Sequence, residues 1–72
     1  MKMERYVGRL VRANRLLVRS DGKRFEKGTE FVVTGHWRGK LTLVRLGRQQ
    51  LIRHVNRHYV NLVDERERSG RP

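Results

Sequence analysis

The sequence predicts an all-β fold: one small barrel of five or six short strands, with a 3-10 turn before the last strand. Three observations carry that expectation. Short runs rich in β-branched and aromatic residues recur at close spacing, turn residues separate them, and beyond the first third no stretch keeps a helical apolar period. The chain has 72 residues, enough for one small domain and too few for a two-domain enzyme or most cofactor-binding folds. A domain of this size lies near the limit of independent stability, and a nearly closed sheet suits it because closure removes exposed strand edges.

The first third of the chain follows two periods. Met3, Tyr6, Val7, Leu10, Val11, Asn14 and Leu17 fall near one helical face, but Gly8 and Asn14 are poor helix formers and Glu4 is a weak N-cap. Strands over roughly residues 5–12 and 15–20 are therefore expected. Ser20-Asp21-Gly22-Lys23 reads as a hairpin turn and Lys27-Gly28-Thr29 as a second turn. The latter opens a strand from Glu30 to Thr34, rich in β-branched and aromatic residues. Gly35 and Gly39 enclose His36-Trp37-Arg38 in a tight connection, and the clearest strand runs from Lys40 to Leu46. Gly47 to Gln50 turns the chain into a strand over Leu51–Val55. Asn56-Arg57-His58-Tyr59 is too short and polar for an α-helix and suits a single 3-10 turn, followed by a last strand, Val60–Val63. The domain is thus expected over residues 1–63, with the apolar-free segment 64–72 as a disordered charged tail.

Composition narrows the function. Eighteen Lys+Arg against seven Asp+Glu give a formal charge of +11. Residues 1–24 hold eight basic and two acidic side chains (net +6), residues 25–44 three and two (net +1), and residues 45–72 seven and three (net +4). Such a chain suits a polyanionic partner. The absence of cysteine excludes disulfides, thiolate zinc sites and thiol catalysis. No apolar run approaches the roughly 18 residues of a membrane span, and the charged first residues do not read as a signal peptide. The expectation is a cytoplasmic protein without cofactor or membrane partner, as a monomer or small homo-oligomer.

Three segments and a tryptophan carry a family resemblance. Val11-Arg12-Ala13-Asn14-Arg15-Leu16-Leu17-Val18-Arg19-Ser20 is similar to the opening strand of bacterial SH3-type domains, which often reads V-x-A-x-x-L-N-V-R-S. Lys27-Gly28-Thr29-Glu30-Phe31-Val32-Val33 resembles that family's K-G-T-x-φ-x-V segment, where φ is apolar. Ile52–Val60 resembles its closing strand, 3-10 turn and final strand, and Trp37 stands where the family has a central Trp. The resemblance covers residues 11–63 and implies an SH3-like barrel; it specifies a fold better than a function. Leu17 replaces the usual Asn, and no Pro precedes Tyr59. The loop that is acidic in peptide-binding relatives carries Lys23, Arg24 and Lys27 here, which argues against Pro-rich peptide ligands.

Fourteen of the eighteen basic residues are Arg, whose planar fork binds phosphate and stacks on bases. On a strand, Arg15 and Arg19 would share one face, about 13 Å apart at ~3.3 Å per residue. The expected activity is non-enzymatic contact with nucleic acid, weakly sequence-specific, through Arg12, Arg15, Arg19, Lys23, Arg24, Arg38 and Lys40, with Trp37 stacking on a base if it is exposed. In so small a domain, Trp37 and Tyr59 are more readily expected to close the core than to face solvent. The alternative is an adaptor or inhibitor docking on an acidic surface of a nucleic-acid-processing enzyme, since electrostatics alone does not separate the two. His54 and His58 have i,i+4 spacing, which chelates a metal only on a helix, so no metal site and no catalytic pair is expected from them or from His36.

Overall fold

The computed structural model describes residues 3–63. In chain order, a 3-10 turn (Met3–Tyr6) precedes β1 (Leu10–Ala13), the short strands β2 (Leu17–Val18) and β3 (Arg24–Phe25), and the longer β4 (Glu30–Trp37), β5 (Lys40–Arg45) and β6 (Leu51–Asn56). A second 3-10 turn (Arg57–Tyr59) leads into β7 (Val60–Leu62). The fold is all-β. One antiparallel sheet has the order β6-β5-β4-β1-β7, and β2 and β3 form a separate hairpin. The segment 64–72 lies outside the described residues. No described helix is long and apolar enough to cross a membrane.

Alternation along the strands builds the core. Phe31 and Val33 of β4, Leu41 and Leu43 of β5, and Val11 and Ala13 of β1 all point inward and are buried. Ile52, Val55 and Val60 close the sheet side of the core, while Leu17 and Phe25 bring the hairpin onto it. The rings of Phe25 and Phe31 meet edge to face, with centroids 5.5 Å apart, a geometry that adds to the area they bury. No polar or charged side chain is buried among the described residues.

The N-terminal expectation of a strand over residues 5–12 is not met. Residues Met3–Tyr6 form a 3-10 turn and the strand begins only at Leu10. Gly8 adopts φ 85, which breaks an extended run. Its N–H donates to the Val33 carbonyl at 2.7 Å, the Arg9 N–H donates to Tyr6 at 2.9 Å, and Tyr6 packs against the core. The strand expected over residues 15–20 shrinks to Leu17–Val18. β4 runs on through Gly35, His36 and Trp37, so the turn is only Arg38-Gly39. Both residues have positive φ, 51 and 79, the signature of a type I′ hairpin turn, whose twist matches that of its strands. The 3-10 turn before the last strand forms as expected. Asn56 caps it, its Oδ1 accepting from the His58 N–H at 2.9 Å.

Candidate nucleic-acid interface

Thr42, at the middle of β5, faces an extra residue on each side. On β4 the pairing steps from Val33↔Leu43 to Gly35↔Thr42, which inserts Thr34. On β6 it steps from Leu43↔Ile52 to Leu41↔Val55, so that Arg53 and His54 together oppose Thr42. Bulges of this kind re-aim side chains and sharpen the local twist. His54 meets the second bulge with φ 62, the left-handed region that few non-glycine residues occupy, His among the more frequent.

The bulges bring chemistry to one place. The imidazole of His54 stacks on the indole of Trp37, with centroids 5.9 Å apart and planes 25° apart. The Arg38 guanidinium lies 4.7 Å from the centroid of the same indole. Trp37 nevertheless remains 59% exposed. Thr34, His36, Trp37, Lys40, Arg53 and His54 line an open groove of about 590 Å³, and none of the described residues lining it is Asp or Glu. An Arg over an exposed ring contributes only about 0.5–1 kcal/mol, whereas a base stacked on an aromatic side chain contributes ~1–3 kcal/mol.

The expected binding residues divide sharply. Lys40 and Trp37 line this groove, and Arg38 neighbours it through its contact with the indole. Arg12 does not join them: it lies opposite Glu30 across β1 and β4, with its Nη2 donating to Glu30 Oε2 at 2.9 Å. Arg19 grips Asp21 through Nε and Nη2, at 2.9 and 2.8 Å, and its Nη1 donates to the Leu51 carbonyl at 2.7 Å. The hydrogen bonds from Arg19, and then from the Lys23 N–H, hold the Asp21 carboxyl down at about 2; the same pairing raises Arg19. Arg15 lies outside the strand that was expected to carry it. Its guanidinium sits 4.3 Å from the Tyr59 ring centroid, and its Nε donates to Asn14 Oδ1 at 3.1 Å. The shared strand face expected for Arg15 and Arg19 therefore does not exist. Lys23 and Arg24 are exposed on the β2–β3 hairpin and do not line the groove.

The aromatic residues reverse expectation. Trp37 and Tyr59 are 59% and 38% exposed and close no core. Phe25 and Phe31 already fill the interior, and Trp37 stands at the tip of β4, opposite Lys40, with no apolar layer above it.

Arg53 was not singled out from sequence, and His54 and His36 were weighed there only as metal ligands or catalytic groups, not as members of a binding groove. A signal was present in Ile52-Arg53-His54-Val55: two buried apolar residues three apart break the period of two and mark a bulge. Among the described residues no three His, Asp or Glu side chains gather as metal ligands. Comparison with protein families, with curated proteins and with solved structures finds no match for this chain.

Proposed function

We propose that this protein is a non-enzymatic binding module that contacts nucleic acid through the groove at the bulged end of β4, β5 and β6. The observation that carries the reading is local. Lys40, Arg53 and the neighbouring Arg38 stand around an exposed indole with no described carboxylate in the lining, whereas Arg12 and Arg19 are paired with acids elsewhere. Phosphate neutralisation there releases counterions and draws on the formal charge of +11. No α-helix is present among the described residues to enter a major groove, and cations of this kind read backbone more than sequence. We propose also that the five-stranded sheet and the β2–β3 hairpin wrap as a small barrel of the SH3-like type. The strand order, the hairpin inserted between β1 and β4, and the 3-10 turn before β7 support it.

Fluorescence anisotropy against DNA and RNA from about 50 to about 300 mM salt tests the proposal. Log affinity is expected to fall linearly with log salt, and Lys40→Ala and Arg53→Ala are each expected to lower that slope by about 0.7–0.9, with Arg12→Ala leaving it unchanged. Absence of binding at the lowest salt, or equal slopes in all variants, overturns it. A second reading rests on an adjoining apolar patch, which meets the groove at Arg53 and His54. Leu16, Val18 and Tyr59 expose apolar surface bordered by Arg15, which suits an adaptor on a protein carrying an acidic patch. Val18→Ser, which adds no charge beside Arg53, would weaken that docking and leave nucleic-acid affinity intact.

A further inference from the structure

We infer that the groove takes an unpaired strand, one base stacking on Trp37 in place of Arg38 while Lys40 and Arg53 engage the adjoining phosphates. The inference rests on the proposed nucleic-acid reading and narrows its ligand. Phosphate contacts alone need only cations. Here an exposed indole stands among them, with Arg38 over its ring and an imidazole stacked on it from a left-handed residue at a bulge. In a duplex the base faces are covered by their neighbours, so this ring has nothing flat to receive. In an unpaired strand every base offers a face, and stacking is indifferent to which base it is.

The placement of the cations fits one strand. Lys40 lies directly opposite Trp37 in the β4–β5 register, and such cross-strand partners have Cβ atoms about 4.5–5.5 Å apart. Its ammonium thus reaches the phosphate of a nucleotide whose base lies on the indole. Arg53 lines the same groove from β6. Arg38, on a two-residue turn, swings from the ring to the backbone when a base arrives. Apart from Trp37 the lining consists of Thr34, Gly35, His36, Lys40, Thr42, Arg53 and His54, which offers a protein partner no apolar anchor.

Trp37 is the sole tryptophan of the chain, so its fluorescence reports this site directly. The full chain is titrated with single-stranded DNA and RNA of about 12 nucleotides, the corresponding duplexes, and an abasic strand of equal length that keeps its phosphates and lacks bases. Both single strands are expected to quench the indole and to bind at least about tenfold more tightly than the abasic strand and the duplexes. Trp37→Ala is expected to lower single-strand affinity about tenfold and leave abasic binding unchanged, and Trp37→Phe to keep most of the preference. A difference between the DNA and RNA arms identifies which sugar the groove prefers. Equal affinity for all probes, with no quenching, overturns the unpaired-strand inference while the phosphate-contact reading stands. No binding of any probe overturns both.

Discussion

His54 shows how one residue can be held against its own preference. A left-handed backbone costs an ordinary L-residue roughly 1–2 kcal/mol, yet His54 adopts φ 62 and places its ring under Trp37. Such positions persist where surrounding structure over-determines them, and they gather at functional sites. His54→Gly removes the strain but loosens the unfolded chain by about 0.4–1 kcal/mol. Chemical denaturation is therefore expected to show stability unchanged or raised by up to about 1 kcal/mol, while nucleic-acid affinity falls as Trp37 loses its backing. A destabilisation beyond about 1 kcal/mol would show that the stacked pair holds the fold together rather than the site. Asp21 is the other informative residue, with a carboxyl lowered to about 2 by Arg19. Because its folded value lies below the ordinary 3.8, its contribution to stability is present above that pH and is lost as pH falls toward 2. Carboxyl titration by NMR is expected to give a midpoint near 2, and Asp21→Asn to flatten the stability profile in that acid window. A midpoint at the ordinary value would mean that the pair does not persist in solution, where an exposed pair is readily screened.

The β4–β5 hairpin is the element on which the site depends. Its turn, Arg38-Gly39, has φ 51 and 79, and Arg is an uncommon residue where Asn-Gly is the favoured pair. Arg38→Asn is expected to stabilise the protein by about 0.5 kcal/mol in urea denaturation and to weaken nucleic-acid binding, since the guanidinium is gone. Gly39→Ala meets no atom within 4 Å, so its cost, about 1 kcal/mol, comes from the backbone angle alone. A neutral Gly39→Ala would mean that the turn relaxes to another type. The strands β5 and β6 were legible because Lys40–Leu46 and Leu51–Val55 are apolar, β-branched and bounded by turns. The N-terminal stretch was not, because Tyr6 has to reach the core from a turn, and that is decided by the Gly8 contact to Val33, a residue distant in sequence.

Across the whole molecule, stability rests on a few large side chains. Globular domains hold roughly 0.05–0.15 kcal/mol per residue, which leaves a chain of this length little margin. Phe31, fully buried and in edge contact with Phe25, carries much of it. Phe31→Ala is expected to cost about 3–5 kcal/mol and to collapse NMR amide dispersion at room temperature, whereas Trp37→Ala, at an exposed tip, keeps it. A folded Phe31→Ala would place the core elsewhere. This separation of core from surface lets the groove be altered without unfolding the molecule.

The amino-acid sequence by itself determined the all-β class, the strands β5 and β6, the 3-10 turn before the last strand and the excess of positive charge, because each follows from local period, turn chemistry or composition. It also pointed to Arg38, Lys40 and Trp37. Tertiary structure alone decided where the other cations stand: it set Arg12 against Glu30 and Arg15 against Tyr59, and gathered Arg53 and His54 beside Trp37, whereas the pair of Arg19 with Asp21 is local to its hairpin turn. The reason is pairing register. Two inserted residues opposite Thr42 turn side chains onto a common face, and which strands meet there is a long-range property that no local pattern of residues contains.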